Sequence, residues 1–284
     1  MVSATFAAAF AKKRNGEFRT PDECIKFCAD AGFTHIDWSP NYGRPDWKED
    51  IGRAIRSAEK YGITIMQSHT PYNFYARAPL DHFQKQLGES VEAAHEMGVK
   101  NLVFHFDEYH PAPGTPFDPD EAMKTIYEIM APYIEKTVSY GINAALETII
   151  EDHIRVKSDE RSHFGGTFEE LTASIERFHD DRVTCCWDFG HAQLSYGDKH
   201  AENLLKMGSR ITCTHVHDNY YGKDLHLLPY LGNLDWETLI PALRATGYDG
   251  ALTYEGGYGC LPDSLIAEYI GLSAHIMNTL CDIK

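Results

Sequence analysis

Short runs rich in β-branched and apolar residues alternate with longer amphipathic stretches along the whole of this chain. The strand-like runs are Ser3–Phe10, Thr34–Ser39, Thr64–His69, Asn101–His105, Asn143–Thr148, Val183–Asp188, Ile211–His217 and Gly250–Glu255. Between them, Pro21–Ala31, Trp47–Tyr61, Asp81–Met97, Pro119–Tyr140, Thr167–Phe178, Ala201–Met207, Trp236–Thr246 and Asp263–Leu280 place apolar residues at helical spacing. Gly32, Gly62, Gly98, Gly141 and Gly247 stand where helices should stop before the next strand. Strand–helix units repeated without a linker predict an α/β fold, a single (β/α)₈ TIM barrel with parallel strands and outer helices over residues 1–284. The 284 residues suit it, since such barrels typically take ~250. A doubly wound open sheet is the alternative, but the first strand–helix turn lacks the GxGxxG fingerprint.

Composition narrows the partners. Lys plus Arg total 26 against 42 Asp plus Glu, a net charge of −16. Such a surface repels phosphate backbones and anionic lipid, so neither nucleic acid nor membrane is the expected partner. No apolar run approaches the ~18–20 residues of a spanning helix. Near the N-terminus the basic residues Lys12, Lys13 and Arg14 follow the apolar stretch, the wrong order for a secretory signal. The seven cysteines are odd in number and have no CxxC spacing. They read as small core residues in a reduced, cytoplasmic protein. Adjacent Cys185 and Cys186 face opposite ways on a strand, which argues for packing over metal binding.

The ends of the expected strands carry the chemistry. They supply His69, His105, Glu147, Asp188, His215, His217 and Glu255, with Asp188–His191 and Asp224–His226 as further pairs of ligand-like spacing. Apolar strands have no packing reason to end repeatedly in carboxylates and imidazoles. Inward-facing carboxylates are costly unless a cation compensates them, and a divalent metal does so. The last four strands deliver Glu147, Asp188, His215 and Glu255 to one rim. His35, His82, His95, His110, His153, His163, His179, His200 and His275 read instead as ordinary core or surface residues. Three long irregular stretches, Asp107–Asp118, Ile149–Gly166 and Asn219–Asp235, follow strands and gather at that same rim.

The series SHTPYN, VFHF, ALETI, CWDFGHA, THVHDN, DLHLLPYLGNLDW and YEGG resembles the xylose-isomerase-like TIM-barrel superfamily, home of sugar phosphate isomerases and epimerases and of abasic-site endonucleases. The resemblance runs in order along the whole chain and is most specific from Asp188 to Trp236. It implies one divalent ion on Glu147, Asp188, His215 and Glu255. It also implies additional metal or substrate positions at His69, His105, His191, Asp224 and His226. The sequence departs from the superfamily pattern at Tyr230, where a glycine is usual, and that puts a bulky side chain near the expected substrate. It also lacks the arginine that some ketose epimerases carry in the loop after the seventh strand.

The implied chemistry is isomerisation or epimerisation of a sugar, moving a proton next to a carbonyl through an enediolate. Glu147 and Glu255 would exchange the proton, and the metal would polarise the carbonyl. Three carboxylates and one imidazole make a hard site that suits Mn²⁺ first, with Zn²⁺, Co²⁺ or Mg²⁺ as alternatives. His191 and Lys223 could bind hydroxyls, and Trp38, Tyr42, Tyr72 and Phe106 could line the sugar's apolar face. The alternatives are a metal-dependent lyase or dehydratase acting on a sugar derivative, and a zinc phosphodiesterase of the abasic-site type. Against the latter stand the acidic rim segments DEYHPAPGTPFDPDE and ETIIEDHIRVKSDERSH. A scaffold with a vestigial site ranks last, because every metal position holds a competent residue. Relatives of the fold often pair through their rims, which makes a homo-oligomer possible and leaves the oligomeric state open.

Overall fold

The computed structural model describes residues 1–73, 78–109, 115–150, 161, 163–257 and 261–284. Its strands are β1 (Val2–Phe6), β2 (His35–Asp37), β3 (Thr64–His69), β4 (Asn101–Phe104), β5 (Asn143–Glu147), β6 (Val183–Asp188), β7 (Ile211–Val216), β8 (Asp218–Tyr220), β9 (Lys223–Leu227) and β10 (Ala251–Tyr254). All but β8 and β9 are parallel and close into a barrel in the order β1-β10-β7-β6-β5-β4-β3-β2. The helices are α1 (Pro21–Ala31), α2 (Trp47–Tyr61), α3 (Leu80–Met97), α4 (Pro119–Ser139), α5 (Phe168–Glu176), α6 (Phe189–Tyr196), α7 (His200–Met207), α8 (Trp236–Ala245) and α9 (Ile266–Asp282). The expected barrel is therefore the fold.

Local chemistry accounts for the element boundaries. At the start of α1 the Thr20 hydroxyl accepts from the Glu23 amide, and the Glu23 carboxylate accepts from the Thr20 amide. Pro21 in the first turn completes that cap. The five glycines expected to stop helices all adopt positive φ, from 68° at Gly98 to 97° at Gly32. Phe83, Leu87, Val91 and Ala94 form the buried stripe of α3.

Side chains alternate between two apolar compartments. Cys185 packs in the outer layer between strands and helices, while Cys186 faces the lumen with Val103, Ala145 and Cys213. Burial pushes both thiols well above their usual pKa. His200 is a core residue: its Nε2 accepts from Trp187 Nε1 at 3.1 Å, and burial pushes it down to about 3. His110 and His153 lie outside the described residues. Among the described residues, no helix is long and apolar enough to cross a membrane.

Three segments differ from the sequence reading. The first strand ends at Phe6, and Ala7–Phe10 turns into a 3₁₀-helix. Its three alanines give little side-chain reason to stay extended. A further helix, α6, follows β6 directly, started by the Asp188 carboxylate accepting from the His191 amide at 2.7 Å. The stretch Asn219–Asp235, expected to be irregular, contains most of an antiparallel β8–β9 hairpin.

That hairpin is anchored from below. Asp218 is fully buried and accepts from the amides of Asn219, Tyr230 and Leu234 and from Trp236 Nε1, at 2.9–3.1 Å. Four donors on one carboxylate tie the whole loop to the barrel top, and Asp224 and His226 ride on it.

Candidate metal centre

Glu147 ends β5, Asp188 ends β6, His215 lies near the end of β7, and Glu255 directly follows β10. These strands are neighbours in the barrel, and Asp188 pairs in register with His215. One donor atom from each residue lies within 4.8 Å of the others. His215 Nδ1 is 3.0 Å from Glu147 Oε1, 3.4 Å from Glu255 Oε2 and 3.7 Å from Asp188 Oδ2. Atoms bound to one ion at ~2.0–2.4 Å must approach each other this closely.

The donor set fits a divalent cation. Three carboxylates and one imidazole make up the set, His105 and His191 also lie against its carboxylates, and Glu255 Oε2 is buried with no hydrogen-bond partner among the described residues. A dication offsets that charge where the protein alone does so incompletely. Burial opposes ionisation of Glu147, but His215 and His105 outweigh it and hold its carboxyl well below the usual range.

Behind the site, Gln67 on β3 fixes the imidazole. Gln67 Nε2 lies 2.9 Å from His215 Nε2, and Gln67 Oε1 is buried without a partner. Exchanging the amide's oxygen and nitrogen lets His215 Nε2–H donate to Oε1. The Nδ1 lone pair then faces the carboxylates. Gln67→Leu is therefore expected to lower metal affinity by about 10–100-fold, measured by chelator competition. An unchanged affinity would show that the tautomer is set elsewhere.

The additional positions divide between the two sides of this centre. His105 Nε2 pairs with Glu147 Oε2 at 2.9 Å. His69 pairs with Asp37 at 3.0 Å and stacks on His215 at 4.6 Å. On the other side, His191, Asp224 and His226 gather with His217 into a second cluster. Asp224 lies 3.7 Å from His191 Nε2 and 3.4 Å from His226 Nε2. Burial alone would lower His226, but Asp224 and Glu255 reverse that and raise it to about 9. His226 Nδ1 contacts the Glu255 backbone carbonyl at 3.0 Å, joining the two clusters. Its backbone is left-handed at φ 48°, a conformation that costs ~1–3 kcal/mol for a non-glycine residue and that collects at functional sites.

Asp37, Gln67 and His217 were not assigned to the site from sequence. Each left a signal: Asp37 is an acid closing an apolar run, Gln67 is polar inside one, and His217 stands two residues after His215. Three other expectations need correcting. Tyr230 does not line the cavity; it is half exposed, and its hydroxyl reaches Glu237 at 3.4 Å. Lys223 is exposed on the hairpin and does not line it either. Phe106 is buried in the outer layer against Phe178. His191, Tyr42 and Tyr72 do line the cavity, while Trp38 walls an adjoining one.

Comparison with known proteins agrees with this architecture. The uncharacterized protein y4fM of Sinorhizobium fredii is 26% identical over 265 residues, covering 82% of this chain and 81% of that protein. D-Psicose 3-epimerase from Clostridium cellulolyticum H10, solved with D-tagatose, superposes with a TM-score of 0.74 at 14% identity, over 99% of each chain. The apo 3-keto-D-glucoside 4-epimerase from E. coli gives 0.72 at 18% identity, over 98% of this chain and 100% of that one. At such identities the likeness is one of fold. The family model for the xylose isomerase-like TIM barrel matches residues 25–270. The chain belongs to the xylose isomerase-like TIM barrel family.

Proposed function

We propose that this chain is a divalent-metal-dependent sugar isomerase or epimerase. The observation that carries this reading is the convergence of Glu147, Asp188, His215 and Glu255 from neighbouring strands into one oxygen-rich, largely buried donor set. Two of the proteins that share the fold are themselves named as sugar epimerases. Mn²⁺ suits the donors best, with Zn²⁺, Co²⁺ or Mg²⁺ as alternatives. Bound there, the ion supplies polarisation of a carbonyl and stabilisation of the developing oxyanion.

The chain's own groups do the proton work. Glu147 and Glu255 come from strands separated by β6 and β7, so they approach a bound sugar from different directions. One removes the proton next to the carbonyl and the other returns it. His191, at the cavity wall, holds a substrate hydroxyl. The described residues lining the cavity include no Lys or Arg, which favours a sugar over a phosphodiester backbone.

The imidazole-rich cluster of His191, His217, Asp224 and His226 favours a second reading, a multi-zinc phosphodiesterase. Elemental analysis and a panel of aldoses and ketoses in D₂O separate the two. The isomerase reading expects a bound dication and deuterium appearing at carbon next to a carbonyl. Salt-sensitive incision of abasic duplex DNA, with no sugar exchanging, would replace it with the phosphodiesterase.

A further inference from the structure

We infer that the substrate carries a second, uncharged sugar-sized unit, seated beyond the metal centre against Tyr42, Trp38 and Phe18. The inference rests on the isomerase reading for the nature of the reacting unit. The cavity over the metal centre measures about 690 Å³. A free hexulose fills the space of roughly six waters, ~180 Å³ at ~30 Å³ each. One reacting ring leaves room beside it in this half-open cavity.

The walls divide chemically. Glu147, His191, Asp224, His226 and Glu255 occupy one side, where metal and proton chemistry belong. Ser39, Asn41, Tyr42 and Gln86, also in the lining, are uncharged, although His69 adjoins Ser39, whose hydroxyl accepts from the His69 amide at 2.7 Å. These four offer hydrogen bonds and apolar contact only. Ala8, Ser39, Pro40 and Asn41 also wall a second cavity of about 260 Å³, so the two spaces adjoin along that strip.

Polar atoms there await a partner. Trp38 walls the second cavity and is 3% exposed, yet its Nε1 has no acceptor among the described residues. Tyr42 Oη is likewise buried with no hydrogen-bond partner among the described residues. An unsatisfied buried polar group costs ~1–3 kcal/mol, and a polyhydroxylated ligand would relieve that cost where it reaches these groups. Phe18, in the same wall, is 40% exposed, with the Arg44 guanidinium over one face of its ring at 5.0 Å, so only its other face is left for the C–H face of a sugar.

Charge selects a neutral occupant. Arg19 is held by Asp263 at 2.7 Å and Arg44 by Asp46 at 2.6 Å, while Asp50 stands in the same wall. Guanidinium groups engaged this way do not offer the open fork that a phosphate takes. Lys12 is the remaining cation of that wall.

The test is binding to the full, metal-loaded chain by calorimetry and saturation-transfer NMR. The probes are D-fructose, D-fructose 6-phosphate and the glucosyl-fructoses turanose, maltulose, leucrose and palatinose. At least one glucosyl-fructose should bind ~10-fold or more tightly than D-fructose, with saturation reaching both rings. Phe18→Ala, at an exposed side chain, and Trp38→Phe, which deletes the N–H, should each remove that advantage. Equal affinity for every two-ring probe and D-fructose would overturn the inference. So would an advantage that survives both variants, or tighter binding of the phosphate ester. If two-ring probes bind better yet no hydrogen exchanges in D₂O, the subsite stands and the isomerase reading fails instead.

Discussion

Glu147→Gln and Glu255→Gln should each lower turnover by at least ~10²-fold with the metal bound, the lower range for losing a general acid–base group. Glutamine keeps the shape and one oxygen donor but cannot accept the proton. Both residues also belong to the donor set, so weaker metal binding would imitate a catalytic loss. The measurement therefore runs at saturating metal, with occupancy determined for each variant. The two variants should differ in metal affinity. Glu147 is 2% exposed and contacts both His215 and His105, so losing its charge strands two imidazoles. The Glu255 side chain is 22% exposed and its loss leaves less uncompensated. His191→Ala, by contrast, should mainly raise KM if that ring only positions substrate. Full isotope exchange by both glutamine variants with metal in place would put the base elsewhere. His69, paired with Asp37, would be the next candidate.

Strand ends made the candidate site legible in the sequence. Side chains alternate along a barrel strand, so an inward residue near its C-terminal end faces the rim; Glu147, Asp188, His215 and Glu255 stand out on that ground, and the family resemblance assigns those four to one ion. Asp37 obeys the same rule from β2, while Gln67 faces inward one layer below the end of β3. They escaped notice because a single polar residue in an apolar strand is also what an ordinary satisfied core group looks like. His217 was visible at a strand end, but its partners are set by α6, a helix whose sequence carries little amphipathic pattern. Phe189, Gly190, His191 and Ala192 are all buried there, so no polar face marks the period. Tyr230 failed for a different reason. Its position in the chain is near the site, but its left-handed backbone at φ 71° accompanies a side chain that reaches Glu237 instead. Local pattern fixes which element a residue occupies; the direction of a loop side chain is decided by tertiary anchors such as Asp218.

Gly190→Ala should destabilise the protein by about 1–3 kcal/mol or more, the cost of overpacking a closed interior, and should weaken metal binding with it. Gly190 sits in the first turn of α6, between Asp188 and His191. A Cβ there would lie 2.0 Å from His217 Cε1 and 2.3 Å from its Nδ1. The His217 ring cannot swing away freely, because Nε2 pairs with Asp188 at 3.0 Å and the ring stacks on His226 at 4.0 Å. Either the ring leaves Asp188 or the helix carrying His191 moves outward, so the substitution reaches both clusters through backbone geometry. Gly271→Ala in α9 is the matching control, since a Cβ there meets nothing within 4 Å. It should be neutral or stabilising by up to ~1 kcal/mol, the helix preference of alanine over glycine. Chemical denaturation of both variants, with and without Mn²⁺, measures the contrast. Adding His217→Ala to Gly190→Ala empties the contested space, so the double variant should be more stable than the sum of the two single losses. Simple additivity would mean that the clash with His217 is not what makes glycine necessary at this position.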